Sequence, residues 1–163
     1  MTKPSMRCRL APLLLLGLAC CAECCSPSPE GNGASAPPAN STAESYRTWA
    51  ATWSTAAAQA LRQFSDASDA AGDGSMSIAE AGIIFASSRA NEGAAWSETR
   101  PASVPAEYAA PDAELVAAHS ELQIAFDEAI LYTKTREAAH FVKSSMYMTK
   151  ATSRIKAAIP QVH

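Results

Sequence analysis

Oxygen-bearing side chains are grouped in the stretch from Asp69 to Glu80 (DAAGDGSMSIAE), which carries the most specific chemical pattern in the chain. An acidic residue lies at each end, Asp73 and Ser75 lie between them, and Gly74 allows a tight turn at the centre. Carboxylate, hydroxyl and carbonyl oxygens are the ligands that calcium prefers in proteins. The spacing therefore indicates a weak candidate for a divalent-cation site, with Asp69, Asp73, Ser75 and Glu80 as ligands.

The same stretch resembles the calcium loop of EF-hand proteins at its first, fifth, sixth, seventh, ninth and twelfth places. It departs from them at the third place, where Ala71 supplies no carboxylate. An interpretation without metal is that Gly72 and Gly74 end one helix, while Ser77 and Glu80 form a capping box that opens the next. We favour the capping interpretation and expect neither a metal nor another cofactor. Calcium binding stays open as the second hypothesis.

Histidine changes its charge near neutral pH, and the chain contains three, His119, His140 and His163. On one straight helix, His119 and His140 would lie about 31 Å apart, too far to share a metal or a substrate. Because His119 falls on an apolar stripe, we expect a core histidine with a hydrogen-bond partner. A pH-responsive group is the alternative for this residue.

Patterns of catalytic residues are lacking. The sequence has no Gly-x-Ser-x-Gly motif and no Gly-rich loop before a Lys-Ser or Lys-Thr pair. All five cysteines lie at or before Cys25, so the region with helical periodicity has no thiol. Its acids are scattered over predicted helix surfaces, whereas glycoside hydrolysis needs two carboxylates across a cleft. We therefore expect no catalytic residues and a protein that is not an enzyme.

The elements that position these residues are predicted to be helices. Apolar residues recur at three- and four-residue steps from about residue 44 to residue 67, and Ser77 opens a second, shorter helix. A third predicted helix begins after Pro111 and meets no breaker until Pro160. Its stripe steps four and four near residues 133–141, where we expect the buried face to rotate or the helix to bend. The predicted fold class is all-α, a small bundle of about three helices with a long C-terminal helix. The stripe of the first helix consists of Tyr46, Trp49, Trp53, Ala57, Ala60 and Phe64.

The N-terminal residues follow the order of a bacterial export signal. Lys3, Arg7 and Arg9 form a basic segment without an acid, and Leu10 to Ala19 is an apolar run too short to span a bilayer. The run ends in the sequence LGLAC at residues 16–20, which resembles the lipobox of bacterial lipoproteins. In that family the signal peptide is removed, and the cysteine is acylated and becomes the first residue.

The resemblance implies a covalent lipid, such as palmitate, on one of two cysteines. We favour Cys20, which follows Ala19 directly; Cys21 is the alternative, because it would place Leu18 where the commonest boxes carry leucine. An ordinary secretory signal cleaved near Ala22 is a further alternative. Neither cysteine is followed by Asp, the residue that retains family members in the inner membrane. The resemblance therefore implies the outer membrane, with the protein facing the periplasm, while the inner membrane and the cell surface stay open.

Proline, glycine, serine and asparagine dominate residues 26–43, which predicts a disordered linker. The predicted organisation is a signal peptide at 1–19, an acylated cysteine and linker at 20–43, and a helical bundle domain at 44–163. This layout is similar to that of small helical envelope lipoproteins of unknown function.

Charge is distributed unevenly along the chain. The net charge is −3, and the three bases and no acid of residues 1–19 leave −6 on the mature chain, which gives no general attraction to nucleic acid. Residues 131–163 hold six bases and one acid. They form either a solvated rim packed along acidic helices or a docking face for anionic headgroups or an acidic partner. The candidates for such a face are Lys134, Lys143, Lys150 and Arg154.

These features favour a membrane-anchored envelope lipoprotein whose helical domain is a non-enzymatic binding or interaction module, as in a scaffold or an immunity lipoprotein. The expected partners are the membrane, through the acyl chains, and another envelope protein, with no role for nucleic acid. The alternative function is a calcium-binding module that uses residues 69–80.

Overall fold

The computed structural model describes residues 39–163, with side chains from residue 42 onward. All regular structure in that range is helical, which confirms the all-α fold class. Short 3-10 turns at Ala106–Tyr108 and Ile159–Gln161 accompany the α-helices. The α-helices are α1 (Ala39–Gly72), α2 (Ile78–Glu98), α3 (Ala109–Thr135) and α4 (Ala138–Ala158).

Successive helices run antiparallel and form an up-and-down bundle. Close backbone contacts join α1 to α2, α2 to α3 and α3 to α4, and the α3–α4 contact is the most extensive. The helices α1 and α4 approach each other less closely, and a groove lies between them. Three sides of the bundle are therefore tightly packed, and the fourth is open.

The first helix is longer than its sequence pattern predicts. It begins at Ala39, inside the predicted linker, because a helix once formed propagates until a breaker stops it, and Pro38 is the first breaker upstream. The prediction that the linker runs to residue 43 is therefore wrong for its last five residues, 39–43. The rest of the predicted linker lies outside the described residues.

The C-terminal part, predicted as one long helix, consists of two. Arg136 lies between α3 and α4 with a φ of 64°, and its N–H donates to the Tyr132 carbonyl at 2.9 Å. The chain reverses at this left-handed residue, and α4 packs back along α3. The prediction of one helix is wrong because the two halves of its apolar stripe face different directions, and the reversal buries both against one core. The irregular step at residues 133–141 marks a reversal and not a bend.

Large aromatic side chains on α1 fill the centre of the bundle. All six residues of the predicted α1 stripe are buried, with Trp49 and Trp53 among the largest fully buried side chains. Helices α2 and α3 come very close at Gly82, where an added Cβ would lie 2.8 Å from the Thr133 hydroxyl oxygen. Further along the same pair of helices, polar side chains of α2 and α3 are in direct contact, such as Glu92 with Gln123.

Candidate functional site

A buried carboxylate, Glu92, connects three helices in the interior of the bundle. It lies on α2 and is completely shielded from solvent. Its Oε1 accepts a hydrogen bond from the Trp53 indole on α1 at 2.6 Å and lies 2.8 Å from His119 Nδ1 on α3. Its Oε2 accepts a hydrogen bond from the Gln123 amide at 2.5 Å. Burying a carboxylate without hydrogen-bond partners costs much free energy, and the three partners of Glu92 offset that cost.

Aromatic rings cover one side of this carboxylate cluster. The His119 ring stacks on Trp96, with centroids 4.3 Å apart and the planes within 4°. The Arg100 guanidinium lies 4.4 Å from the Trp96 ring centroid and 4.5 Å from that of Trp49. A cation over an indole face is attracted by the ring quadrupole. Imidazole, indole and guanidinium therefore form a continuous stack at the edge of the cluster.

Asp112, in the first turn of α3, holds the other end of the stack. Both of its carboxylate oxygens accept hydrogen bonds from Arg100 Nη2 at 2.9 Å, and Oδ1 also accepts one from the Tyr46 hydroxyl at 3.0 Å. Burial and this hydrogen bond raise the pKa of the Tyr46 hydroxyl far above its ordinary value, so it stays a donor. Tyr46 also stacks on Tyr108 at 5.0 Å. These contacts join α1 to α3 and to the connection before α3.

An acid in contact with an imidazole is a part of many catalytic sites, but catalysis also needs a nucleophile or a substrate cavity beside it. Five surface cavities on residues 42–163 are lined by other side chains, and neither Glu92 nor His119 contributes to any of these five. The contacts of the cluster fit a clamp that holds α1, α2 and α3 in register. The hydrogen-bond partner expected for His119 is present and is Glu92.

The sequence patterns did not single out Glu92, although a signal for it exists. Ala81, Phe85 and Ser88 lead to Glu92 by steps of four, three and four residues, and all four are buried. An acid on such a stripe must meet donors from other helices. Sequence reasoning also missed the roles of three of its neighbours, Trp96, Arg100 and Asp112.

The stretch from Asp69 to Glu80 forms the turn between α1 and α2. The Ser77 hydroxyl accepts a hydrogen bond from the Glu80 N–H at 3.2 Å, and the Glu80 carboxylate accepts one from the Ser77 N–H at 2.8 Å, so the predicted capping box is confirmed. Asp73 Oδ1 accepts a hydrogen bond from the Ser75 N–H at 2.9 Å. These hydrogen bonds lower the pKa of the Asp73 and Glu80 carboxyls. Both carboxylates thus bind backbone amides of their own turn.

The acids of this turn do not converge on a common point. In the part of the chain that the structure describes, no group of three or more His, Cys, Asp and Glu side chains is placed to hold a metal ion. The weak metal candidates Asp69, Asp73, Ser75 and Glu80 therefore surround no preformed site in this structure.

Two of the four predicted docking bases form ion pairs with acids of α3. Lys143 pairs with Glu128 at 2.5 Å, and Arg154 pairs with Glu114 at 2.6 Å and with Glu121 at 3.1 Å. The three acids are spaced by seven residues along α3, so they form one stripe that faces α4. Lys143 and Arg154 therefore fasten α4 to α3.

The other two predicted docking bases, Lys134 and Lys150, are exposed and form no ion pair within the described residues; Lys150 lies 5.4 Å from the Tyr147 ring centroid. Other bases share this lack of a carboxylate partner. The lysines and arginines of residues 42–163 that form no ion pair within this range are Arg47, Arg62, Lys134, Arg136, Lys150 and Lys156.

His140 lies in the first turn of α4 and contacts acids near the reversal. Its Nδ1 lies 2.7 Å from Glu128, and its Nε2 lies 3.6 Å from Glu137. Because the chain reverses between α3 and α4, His119 and His140 lie on different helices, and the separation expected for one straight helix does not apply. The two histidines nevertheless contact different carboxylates, since His119 contacts Glu92.

The open side of the bundle contains an apolar groove of about 180 Å³ between α1 and α4. Its floor carries Leu61 from α1 and Ile155 from α4, both partly buried against the core. The complete lining is Ser54, Ala58, Leu61, Thr152, Ile155 and Lys156. We call this the α1–α4 groove.

Exposed bases border the α1–α4 groove. Lys156 is part of its wall, Arg47 lies two turns before Ser54 on the same face of α1, and Arg62 lies one turn after Ala58. The acids nearest to Arg47 and Arg62 along α1 line other grooves: Glu44 lies with Thr99, beyond the end of α2, and Asp66 lies in a groove between α1 and α2. The edge of the α1–α4 groove is therefore basic.

A second apolar cavity of about 190 Å³ lies where α1 and α3 end and where α2 and α4 begin, and Phe85, Tyr132 and Phe141 contribute to its walls. Among the exposed large apolar residues of α3 and α4, Val116 lies near the start of α3, and the others lie towards the same end as this cavity. These others are Leu131, Phe141, Val142 and Met146.

The predicted signal peptide, residues 1–19, and the lipidation candidates Cys20 and Cys21 lie outside the described residues. Within the described range, no helix combines the length and the apolar character needed to cross a bilayer. In comparisons with known proteins, no family model, no curated protein and no solved structure matches the chain.

Proposed function

We propose that this chain is a lipid-anchored envelope lipoprotein whose helical bundle binds another envelope protein and performs no catalysis. The anchor rests on the lipobox-like residues 16–20 and the apolar run before them. The binding role rests on one observation, the open α1–α4 groove with exposed bases at its edge that have no carboxylate partner. A scaffold and an immunity protein both fit this description.

Some polar and charged side chains have hydrogen-bond or ion-pair partners within the bundle and others have none, and their distribution supports a binding role over a catalytic one. The buried polar groups around Glu92 hydrogen-bond to one another, and Lys143 and Arg154 pair with acids of α3. The α1–α4 groove is different, because its apolar floor and its basic edge have no counterpart in the described chain. Apolar surface beside unpaired charge is what a protein partner uses for affinity and for orientation.

The anchor is tested by replacing both candidate cysteines. In cells that process lipoproteins, the unmodified protein should sediment with membranes, and mass spectrometry should find a diacylglyceryl cysteine at its mature N-terminus. The double variant Cys20→Ser, Cys21→Ser should be released into the soluble fraction. Retention of that variant on membranes would show that the lipid is not the anchor.

The binding role is tested by photo-crosslinking in the cells that produce the protein. A photoreactive amino acid at Ala58 or Thr152, both in the groove lining, should give a discrete adduct with one protein. The same amino acid at Ala90, which is exposed on α2, serves as the matched control and should give none. Equal adducts at groove and control positions, or none at either groove position, would contradict the proposal.

A further inference from the structure

We infer that the α1–α4 groove receives an acidic, amphipathic helical segment of the partner, which places one apolar side chain between Ala58 and Ile155. This inference rests on the proposed function and narrows it to one class of ligand. Size, charge and the spacing of the basic residues support it independently of one another.

The size of the groove fits a side chain better than a whole small molecule. Its volume of about 180 Å³ is below the roughly 300–1,000 Å³ that small-molecule pockets occupy. The floor is aliphatic, with Leu61 and Ile155, and the side walls end in small residues such as Ser54 and Ala58. Such a depression accepts one anchoring side chain from a larger partner, and anchors of this kind dominate the energy of protein interfaces.

The charge at the edge selects an acidic partner. Arg47, Arg62 and Lys156 are exposed and have no carboxylate within ion-pair distance in the described residues. The helix α4, residues 138–158, contains no acid. Carboxylates on a docked segment would meet these bases without displacing an existing ion pair, and opposite charge also accelerates the encounter.

The spacing of the bases along α1 sets the length of the segment. Arg47 and Arg62 are 15 residues apart on one helix, which corresponds to about 22 Å. A docked helix of about four turns covers that distance, with its apolar face on the groove and its carboxylates at either end. This is the helix-in-groove mode, in which apolar anchors recur at three- and four-residue steps.

A bilayer surface fits the groove less well than a helix does. A plane of anionic headgroups would reach the exposed bases, but it would not fill the concave floor between Ala58 and Ile155. Lipid binding should therefore respond to the loss of a base and ignore a change in the floor. This difference separates the two ligands experimentally.

The test uses the full mature protein in nanodiscs of neutral phosphatidylcholine. The probe is a synthetic amphipathic helix of about 18 residues, with leucine on one face and glutamate on the other. Its matched control is the same peptide with lysine in place of glutamate. Fluorescence anisotropy should show saturable binding of the glutamate peptide that weakens steeply between 0.1 M and 1 M salt, because the Debye length falls from about 10 Å to about 3 Å. Empty nanodiscs and the lysine peptide should show no saturable binding.

Two substitutions, each with a control, locate the site. Ala58→Trp fills the groove and Lys156→Glu inverts its edge, and each should weaken peptide binding at least tenfold. The controls, Ala90→Trp on exposed α2 and Lys134→Glu on another unpaired exposed base, should change binding less than about twofold. Lys156 is exposed, so its variant should fold even if Ala58→Trp does not, and circular dichroism checks both.

Three results would overturn the inference. The first is binding of the glutamate peptide that none of the variants changes, or no binding at all. The second is binding to vesicles with phosphatidylglycerol that Lys156→Glu abolishes and Ala58→Trp leaves intact, which would assign the face to lipid headgroups. The third is a concentration-dependent dimer in sedimentation that Ala58→Trp abolishes, which would assign the groove to a second copy.

Failure of this inference can be distinguished from failure of the proposed function. If groove positions give the specific adduct in cells but the glutamate peptide fails to bind, the groove is an interface and the ligand class is wrong. If the groove positions give no adduct, the binding role itself fails.

Discussion

The side chains that α1 and α4 contribute to the interior differ in size and in what holds them. Helix α1 buries Trp49 and Trp53, and the indole of Trp53 hydrogen-bonds to the buried carboxylate of Glu92. Helix α4 buries smaller side chains, and its charged contacts with α3 are only partly buried: Lys143 is 51% exposed, whereas its partner Glu128 is 13% exposed. The residues that α4 buries are Ser144, Met148, Ala151 and Ala158.

This difference places stability and binding in different parts of one small bundle. Buried polar networks fix a unique arrangement of the helices that share them, whereas exposed ion pairs contribute little to stability. We therefore expect α1, α2 and α3 to unfold together, and α4 to be the least protected helix in hydrogen exchange. The open groove lies beside α4, which packs extensively on α3 but takes no part in the hydrogen bonds around Glu92.

Loss of the buried carboxylate should have the largest effect. Glu92→Ala leaves the Trp53 indole, the His119 imidazole and the Gln123 amide without their common acceptor. A buried donor left without an acceptor typically costs about 1–3 kcal/mol, so we expect a total loss of about 3–5 kcal/mol. Urea unfolding should show a loss of this size, and the mutant should lose protection in α1, α2 and α3 together.

The matched control for this substitution is Glu98→Ala, at the exposed end of α2. It should change the free energy of unfolding by no more than about 0.5 kcal/mol. An effect of Glu92→Ala equal to that of Glu98→Ala would show that the carboxylate cluster is not the clamp of the bundle.

Removal of a buried hydroxyl from α4 should stabilise the protein. The Ser144 Oγ is buried and has no hydrogen-bond partner in the described part of the chain. Ser144→Ala removes an unpaired polar group without changing the shape of the site, and we expect a gain of about 1 kcal/mol. Thermal unfolding checks this, with Ser153→Ala on the exposed face of α4 as the control. A loss of stability in Ser144→Ala would mean that the hydroxyl has a partner.

A substitution at the reversal before α4 should also increase the stability of the protein. Arg136 adopts a φ of 64°, where a side chain crowds the following carbonyl and glycine does not. Arg136→Gly should therefore stabilise the protein by about 0.5–1 kcal/mol, because the relief of strain exceeds the added freedom of the unfolded chain. Arg136→Ala removes the same side-chain charge without the relief and should give no such gain. If the two variants behave alike, the left-handed conformation is not the cause.

The ion pair at the start of α4 should weaken in acid. The hydrogen bonds from Lys143 and His140 hold the pKa of the Glu128 carboxyl below its ordinary value of 4.5. The folded state therefore binds fewer protons than the unfolded state, so this contribution is present above about pH 4.5 and is lost as the pH falls through the lowered pKa. Hydrogen exchange should show α4 losing protection over that range before α1 does, and Glu128→Gln should abolish the difference in pH dependence. If α1 and α4 lost protection at the same pH, this prediction would be wrong.

The parts of the fold that follow from local pattern could be predicted from the sequence. The apolar stripe from Tyr46 to Phe64 indicated α1 and its buried face, and Ser77 with Glu80 indicated the start of α2. Both depend on residues within one or two helical turns of one another. The same holds for the hydrogen-bonded role of His119, which follows from its place on a stripe.

The parts that depend on distant residues could not be predicted. The reversal at Arg136 lacks the glycine or asparagine that usually marks a left-handed cap, so the long C-terminal helix had no visible end. Because α4 was not recognised, neither its pairing with α3 nor the α1–α4 groove could be derived. Lys143 and Arg154 looked like free bases for the same reason, since their partners on α3 become neighbours only after the reversal.

The smallest effect on stability is expected at the edge of the groove, and it is the sharpest test of the separation between stability and binding. Lys156 and Arg47 are exposed and have no carboxylate partner in the described chain, so removing their charge breaks no intramolecular ion pair. Lys156→Ala and Arg47→Ala should each change the free energy of unfolding by less than about 0.5 kcal/mol, the range typical of exposed surface positions. Both should nevertheless weaken binding of the glutamate peptide, while Lys134→Ala should change neither quantity. Urea unfolding and anisotropy on the same samples measure the two effects side by side. A substantial loss of stability at Lys156 or Arg47 would mean that these bases hold the bundle together, and the contrast between α4 and the other helices would then disappear.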